Sequence, residues 1–432
     1  MKSIVEKHIL ENGLTILTRE LHHVPLVSHW VWYRVGSRNE RTGKTGISHW
    51  VEHMQFKGTP KYPINVLDQA ISHDGGVWNA MTSLDWTTYF ETLPSHKMAI
   101  ALDLEADRMH NSLFDPDETE LERTVIISER EGNENEPLFR LGEAVQQAAF
   151  INHPYRNQVI GELVDLKSIT REDLFKHYRD NYAPNNALIA LAGDFDTTDI
   201  LKQLDRLYGS LPAQPSTRPS PQPEEALLNP ERIEMEGPGD TLYLQVSYRS
   251  PAANSDDFFA LSVLDSLLTG PSSLSMTGGG GMSNKTSRLY QSLVEKDIAV
   301  SISGGVQATI DPYLYEILAI LPPDKSADTA LQVINQEIAR LQQERIKPEE
   351  IARAVKQARA LFAYGSESIT NQAFWLGYAS MFADHTWFET YLERIEQVTA
   401  DQIRDFAQRT LRQDRRITGI YRPKAIRSKN GQ

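Results

Sequence analysis

Two histidines and a glutamate lie close together in the run His49-Trp50-Val51-Glu52-His53. On a helix, His49 and His53 are four residues apart and project from one face. Two imidazoles at this spacing can bind one Zn²⁺ ion, and Glu52 beside that face can deprotonate water rather than ligate. The parts are those of His-Glu-x-x-His in a different order. This pattern indicates a catalytic zinc site, and a partly exposed helix with two solvated histidines is the alternative.

The composition narrows the chemistry further. The chain has 432 residues, no cysteine and a formal net charge of −14. Without cysteine there is no disulfide framework, thiolate metal site or cysteine nucleophile. The acidic balance argues against non-specific binding to nucleic acid or to anionic membrane surfaces. The ligands of any transition metal must therefore be His, Asp or Glu.

A catalytic zinc site also needs a third protein ligand and an open position for water. The acidic segment 118–131 offers candidates, because Glu122 and Glu129 are seven residues apart and project to the same side of a helix. Val125 and Ile126 lie between them, which suggests a helix anchored in a core. An acidic, solvated helix face is the alternative, and position alone does not choose among these carboxylates.

The sequence contains no sign of membrane insertion or export. No stretch approaches the roughly eighteen consecutive apolar residues of a membrane-spanning helix. Residues 1–8 include acidic side chains and lack the apolar core of a signal peptide. These observations predict a cytoplasmic protein, or a periplasmic or organellar one if a targeting segment has been removed.

A proline-rich stretch near the midpoint divides the chain. Residues 212–223 contain five prolines, which exclude a helix or a central strand and predict an extended linker. We therefore predict a zinc-bearing domain at 1–211, a linker at 212–223 and a second domain at 224–432. Two parts of similar length suggest a duplicated unit.

Hydrophobic patterning predicts alternating strands and helices in both parts, and hence an α+β fold. Strands are expected at 4–10, 14–18, 27–35, 77–93 (as a hairpin), 187–193, 241–248, 299–308, 313–321 and 417–421. Helices are expected at 46–56, 66–73, 96–111, 116–132, 137–151, 170–181, 197–211, 255–268, 326–345 and 347–364.

Several motifs in this order and spacing carry a family resemblance. The segments 49–59, 75–89 and 153–161, with Glu122 and Glu129 between the last two, resemble the pitrilysin and mitochondrial processing peptidase family, the inverzincins. The resemblance implies two similar domains, each a mainly antiparallel sheet with helices on one side, which together form half of a clam-shell. It covers most of the chain.

The resemblance also implies roles for the candidate residues. In that family the third zinc ligand is a glutamate about 76 residues after the second histidine, which is Glu129 here. His49, His53 and Glu129 would then hold one Zn²⁺ per chain, and Glu52 would act as the base. Glu122 matches the carboxylate that orients a ligating histidine. The implied activity is hydrolysis of peptides or unfolded segments.

The resemblance further implies a strand that binds substrate. The strand comprises Asn79, Ala80, Met81 and Thr82, and it would add an extended peptide to the sheet edge. The side-chain amide of Asn79 would then lie near the scissile bond. A plain turn residue after Gly75 and Gly76 is the alternative for Asn79.

The second half departs from the family pattern. Residues 286–291 resemble its Ser-Arg-Leu-Tyr-Gln helix start, but Val294 and Val300 stand where complete enzymes have an Arg and a Tyr that contact substrate. Neither valine can donate a hydrogen bond to an oxyanion. The resemblance therefore implies a heterodimer with a homologous subunit that supplies the Arg/Tyr pair, with a homodimer as the next possibility.

Other features carry weaker hypotheses. The loop Gly278–Gly281 lacks phosphate-loop spacing, and a substrate-gripping loop or a plain surface loop remain open. Five further histidines have no ligand-like spacing and are interpreted as structural or solvated: His73, His96, His110, His153 and His177. A non-catalytic scaffold subunit and a peptide-binding module that retains zinc structurally are the competing functional hypotheses.

Overall fold

The computed structural model describes residues 4–73, 75–215, 221–224, 228–272 and 283–424. The strands within these ranges are β1 (Glu6–Ile9), β2 (Thr15–Glu20), β3 (Leu26–Tyr33), β4 (Val77–Thr82), β5 (Thr87–Pro94), β6 (Ala187–Gly193), β7 (Glu231–Gly237), β8 (Leu242–Arg249), β9 (Ser301–Val306), β10 (Leu314–Leu321) and β11 (Ile417–Pro423). The helices are α1 (Ile47–Met54), α2 (Ile64–Ser72), α3 (Met98–Asn111), α4 (Pro116–Asn133), α5 (Pro137–Ala149), α6 (Leu163–Ser168), α7 (Arg171–Asn181), α8 (Thr197–Tyr208), α9 (Asp256–Leu268), α10 (Ala327–Gln343), α11 (Pro348–Gly365), α12 (Ile369–Phe382), α13 (Thr386–Glu396) and α14 (Ala400–Thr410).

The strands form two sheets of closely related topology. The first sheet has the order β1-β2-β6-β3-β5-β4, and the second has the order β7-β11-β8-β10-β9. Apart from the extra β1, the five strands of each half follow the same spatial order. In each sheet the first of these strands pairs in parallel with the last, and the other pairings are antiparallel. The predicted α+β class with two similar, mainly antiparallel domains is confirmed.

The compact units exchange segments between the halves of the sequence. One unit comprises residues 1–131, 153–222 and 366–389, and the other comprises 132–152, 223–365 and 390–432. Residues 132–152, which lie in the predicted domain 1–211, thus belong to the second unit. Residues 366–389, which lie in the predicted domain 224–432, belong to the first unit. Of the predicted linker at 212–223, residues 216–220 lie outside the described residues.

The exchanged helix α12 covers one face of the first sheet. Trp30 and Trp32 of β3 point toward α12, where Phe374 lies 5.3 and 5.6 Å from their ring centres. A β-carbon at Gly377 would collide with the indole of Trp32, so the α12 backbone lies directly on the ring. His29, directly before Trp30, points to the opposite face and contacts Glu91. Every residue of β3 after Leu26 is therefore buried.

The second sheet is covered in the same way by α5. A β-carbon at Gly419 of β11 would lie 2.8 Å from the Val145 side chain and 2.9 Å from that of Leu141. Each sheet is therefore packed by helices of its own half of the sequence and also by one helix of the other half, which is α12 for the first sheet and α5 for the second.

The elements missed from the sequence have identifiable reasons. Helix α12 is buried on almost all sides and shows no amphipathic period, so the pattern did not predict a helix. Strand β7 is an edge strand in which four of the seven residues are charged and exposed, so its sequence lacks the apolar pattern of a strand. Helices α6, α13 and α14 were also missed. No helix in the described ranges is long and apolar enough to cross a membrane.

Candidate metal and catalytic site

Helix α1 is held at its N-terminus by Glu40 and by a glycine. The buried carboxylate of Glu40 accepts hydrogen bonds from the backbone N–H groups of Gly46 and Ser48, both at 2.8 Å. Gly46 has φ 83°, and a β-carbon there would lie 2.4 Å from the carbonyl oxygen of Ile160. Burial raises the pKa of Glu40 to about 8, although these N–H donors lower it. The turn that starts α1 is therefore tightly packed, and this packing fixes the directions in which His49, Glu52 and His53 project from the helix.

Gly46→Ala should destabilise the protein more than Gly43→Ala does. Both glycines have φ near 85°, but nothing lies within 4 Å of a β-carbon at Gly43. The left-handed conformation alone should cost Gly43→Ala about 1–2 kcal/mol. The clash with Ile160 should add about 2 kcal/mol in Gly46→Ala. Urea unfolding curves of the two variants measure the difference, and equal losses would contradict a packing role for Gly46.

The three predicted metal ligands come together. His49 and His53 lie on α1 and Glu129 lies on α4, and one donor atom from each residue lies within 4.8 Å of the others. Among the residues that the structure describes, this is the one group of three such donors close enough to hold a metal ion. Zinc–ligand bonds of about 2.0–2.1 Å place tetrahedral ligands roughly 3.4 Å apart, so small side-chain adjustments suffice.

Burial keeps the first histidine neutral. Burial, together with the neighbouring His53, lowers the pKa of His49 to about 3, although Glu122 acts in the opposite direction. The Nδ1 atom of His49 is buried and has no hydrogen-bond partner in the described part of the chain. A neutral imidazole retains the lone pair that a metal needs. The two imidazole nitrogens and one carboxylate of this trio match the donor set of a catalytic zinc site.

Glu122 and Glu129 face different atoms of His53. The Nδ1 atom of His53 lies 2.7 Å from Glu122 Oε1, whereas its Nε2 atom lies 3.9 Å from Glu129 Oε2. Burial lowers the pKa of His53, but the hydrogen bond to Glu122 and nearby carboxylates raise it to a net value above normal. When Nδ1–H donates to Glu122, Nε2 is left to accept a metal on the side of Glu129.

Helix α4, which carries both glutamates, is docked against α1 by an arginine. The guanidinium of Arg123 lies 4.7 Å from the ring centre of Trp50 and donates to the carbonyl oxygens of Leu166 and Ile169. Ile126 is fully buried, as the spacing predicted, but Val125 is 49% exposed and does not anchor the helix.

Lys57 is a site residue that the sequence analysis missed. Its Nζ atom lies 2.5 Å from Glu122 Oε2 and 3.7 Å from Glu118 Oε2. Burial raises the pKa of Glu122, but hydrogen bonds from His53 and Lys57 outweigh it and hold the pKa below normal. Lys57 stands four residues after His53, the spacing at which side chains on a helical turn meet, and this was the available signal.

Lys57→Met should weaken zinc binding by about 10-fold, because partners behind a ligating histidine typically contribute 10- to 100-fold. Methionine keeps the apolar stem but removes the charge that holds Glu122 as an anion. Lys61→Met is the matched control, since Lys61 pairs with Asp103 away from the site. Competition with a chromogenic chelator measures both affinities. Equal zinc affinity in the two variants would argue against this role for Lys57.

The candidate base is buried beside the metal ligands. Glu52 is 8% exposed, and its Oε2 atom accepts a hydrogen bond of 2.6 Å from the hydroxyl of Thr82. Burial raises the pKa of Glu52, while the Thr82 hydroxyl and His53 lower it. A carboxylate whose pKa is raised is a stronger proton acceptor than a solvated one, which suits a general base.

The predicted substrate strand forms an edge of the first sheet. Strand β4 pairs with β5 on one side, and no strand among the residues that the structure describes pairs with its outer edge. Asn79 is exposed, and its Oδ1 atom accepts a hydrogen bond from the backbone N–H of Ala80. An edge strand has unpaired main-chain groups that can pair with an extended peptide. The roles of Asn79, Ala80, Met81 and Thr82 toward substrate stay predictions.

The remaining histidines and the second half lie as follows. His177 is half-buried, with its Nε2 atom 3.3 Å from the hydroxyl of Ser48, and buried His153 accepts the N–H of Tyr155, which fits the structural interpretation. Val300 is exposed directly before β9, and Val294 ends the π-helical segment Tyr290–Val294. The predicted loop Gly278–Gly281 lies outside the described residues.

Family models match most of the chain. The model described as "Insulinase (Peptidase family M16)" matches residues 15–162, which contain two of the candidate ligands, His49 and His53, and also the third, Glu129. The model described as "Peptidase M16 inactive domain" matches residues 168–358. The chain belongs to peptidase family M16, the insulinase- and pitrilysin-like peptidases, and the family resemblance seen in the sequence is confirmed.

Relatives and solved structures agree with this placement. An uncharacterized zinc protease of Mycobacterium leprae is 28% identical over 93% of this chain and 88% of its own length. An Arabidopsis thaliana protein named "Probable mitochondrial-processing peptidase subunit beta, mitochondrial" is 28% identical over 81% of this chain and 65% of its own. The crystal structure of a protease from Helicobacter pylori, 25% identical, superposes with a TM-score of 0.90 over 98% of this chain and all of that one.

Proposed function

We propose that this member of peptidase family M16 is a zinc-dependent endopeptidase that hydrolyses peptides or unfolded segments. The observation that carries the proposal is the convergence of His49, His53 and Glu129 donor atoms within 4.8 Å, with Glu52 buried beside them. The relatives named zinc proteases support the same assignment. His49, His53 and Glu129 would hold the ion. When bound, Zn²⁺ supplies Lewis acidity, which polarises a carbonyl group and acidifies water.

The side chains of the site divide the work. Glu52 takes a proton from the water that attacks the peptide carbonyl and returns it to the leaving amine nitrogen. Glu122 accepts the Nδ1–H of His53 and so fixes the tautomer and the orientation of that ring. Lys57 keeps Glu122 ionised for this task.

The edge strand β4 holds the substrate as an added strand. Main-chain hydrogen bonds to β4 tolerate many sequences, so affinity arises without a strict sequence rule. This mode requires an extended peptide, because the residues of a folded domain have already paired their backbone groups. Unfolded segments and flexible peptides are therefore the substrate class.

A homologous partner completes the enzyme in this proposal. Val294 and Val300 offer no donor to an oxyanion, and the similarity to a protein named as a processing-peptidase beta subunit supports a two-subunit enzyme. The partner supplies an Arg and a Tyr to the substrate. A purified chain that alone cleaves as fast as the reconstituted pair would contradict the heterodimer and leave the homodimer.

Metal-dependent cleavage tests the proposal. The chain, alone and co-purified with the product of a neighbouring gene, is incubated with an unstructured quenched-fluorescent peptide after chelation and after Zn²⁺ is restored. We expect cleavage that disappears with the chelator and returns with zinc. Bound zinc without any cleavage in either preparation would favour the alternative, a non-catalytic peptide-binding subunit.

A further inference from the structure

We propose that Thr82 is a positioning residue that links the substrate strand to the base: its hydroxyl fixes the carboxylate of Glu52, and its backbone belongs to the strand that receives the peptide. This inference rests on the proposed role of Glu52. Besides the predicted main-chain pairing of its strand with substrate, Thr82 would thus orient the side chain of Glu52.

The first observation is the hydrogen bond itself. The Oγ1–H of Thr82 donates to Glu52 Oε2 at 2.6 Å, a short distance typical of a hydroxyl bound to a carboxylate. Glu52 Oε1 accepts no hydrogen bond within the described ranges of the chain. Thr82 therefore occupies one oxygen and leaves the other to exchange a proton.

The second observation is how β4 lies against α1. Alternate residues of a strand share a face, so Thr82, Ala80 and Trp78 point together; Ala80 is buried, and the other two are half-buried. Four residues before Thr82, the ring of Trp78 lies 4.9 Å from that of Phe56, which stands four residues after Glu52. The strand is thus anchored at two points, the base Glu52 on α1 and Phe56 in the turn that follows this helix.

The third observation is that the strand end is rigid where Thr82 lies. Thr82 pairs with Thr87 at the end of the β4–β5 hairpin, and the N–H of Ser83 donates to the Trp86 carbonyl at 2.8 Å to close the turn. Thr87 is itself held by a hydrogen bond from its hydroxyl to the Val35 carbonyl. A donor held in this way can select one rotamer of Glu52.

A consequence follows for catalysis. A peptide that adds to the outer edge of β4 pairs with the same strand that holds the base, so the scissile bond and Glu52 are located relative to one backbone. Loss of the Thr82 hydroxyl should leave peptide binding intact, because the main-chain groups remain, but should release the carboxylate. The expected signature is a change in kcat without a change in KM.

The test compares Thr82→Val, which keeps the shape, with Thr82→Ser, which keeps the hydroxyl. Thr92→Val is the matched control, because Thr92 is also half-buried in this sheet and its hydroxyl bonds to Ser28 and Thr370. In the zinc-loaded full chain with its partner, kcat of Thr82→Val should fall about 10-fold at constant KM, while Thr82→Ser and the control stay within about 2-fold of wild type.

Crystal structures of the metal-free wild type, Thr82→Val and Thr82→Ser give a second measurement that needs no activity. The Glu52 carboxylate should occupy one conformer in the wild type and in Thr82→Ser, and should leave it in Thr82→Val. An unmoved Glu52 in Thr82→Val, an unchanged kcat, or a defect in Thr82→Ser equal to that of Thr82→Val would overturn the inference. If the wild type cleaves nothing, the proposed function fails, and the conformer of Glu52 still decides on Thr82.

Discussion

Glu52→Gln is expected to abolish peptide cleavage while the chain still binds one zinc ion. Glutamine matches glutamate in shape, but its amide cannot accept a proton from water and return it to the leaving amine. Removal of a general base typically costs about 10²–10⁴-fold in rate, and a base that acts in both proton transfers belongs at the upper end. The hydroxyl of Thr82 can still donate to the amide oxygen, so the packing of this 8%-exposed side chain survives.

Three measurements on the same preparation give this result its meaning. Elemental analysis should return one zinc per chain, thermal unfolding should match the wild type, and kcat should be lost. Glu52 does not belong to the trio of close donor atoms, so metal content should not follow activity. Cleavage at the wild-type rate would refute Glu52 as the base, and loss of zinc in this variant would indicate that Glu52 ligates.

Glu129→Gln is expected to remove zinc from the protein and activity with it. Glu129 is the one carboxylate in the donor trio, and its side chain is 44% exposed, so the substitution should not disturb the core. Loss of a charged ligand should weaken zinc binding by more than about 100-fold, beyond the 10- to 100-fold seen for partners outside the ligand set. Dialysis against a zinc buffer followed by elemental analysis measures the change.

Glu131→Gln supplies the matched control on the same helix. It lies two residues further along α4, about 200° around the axis, and removes the same charge without touching the donor trio. Its zinc affinity should equal that of the wild type. Glu122→Gln should fall between the two, because Glu122 contacts His53 Nδ1 rather than the metal side of the ring. If Glu122→Gln loses zinc and Glu129→Gln keeps it, the two assignments must be exchanged.

The local part of the site could be predicted from the sequence alone. Residues four apart on a helix share a face whatever the rest of the fold is, so the pairing of His49 with His53 and the flanking position of Glu52 followed from spacing. The absence of cysteine restricted the ligands to histidine and carboxylates. Most strands and helices of both halves likewise followed from local hydrophobic periodicity, and the similar length of the two α+β parts suggested a duplication.

The tertiary structure distinguishes the two glutamates of α4 by the atoms that they contact. Their seven-residue spacing places Glu122 and Glu129 on one side of the helix, and spacing left them equivalent. The family resemblance implied their roles, but only the packing of α4 against α1 placed Glu122 at Nδ1 of His53 and Glu129 on the side of Nε2. A distance of 69 or 76 residues along the chain carries no local geometry, so only the folded path can bring such groups together.

The same reason explains what the sequence did not reveal. The contact of Thr82 with Glu52 and the cover of the first sheet by α12 both join residues from distant segments. Helix α12 is buried on nearly every side, so its sequence lacks the alternation of apolar and polar residues by which a helix is predicted. The sequence by itself thus determined which residues could bind zinc and act as a base. The tertiary structure decided which groups orient them, because orientation depends on contacts between elements rather than on spacing within one.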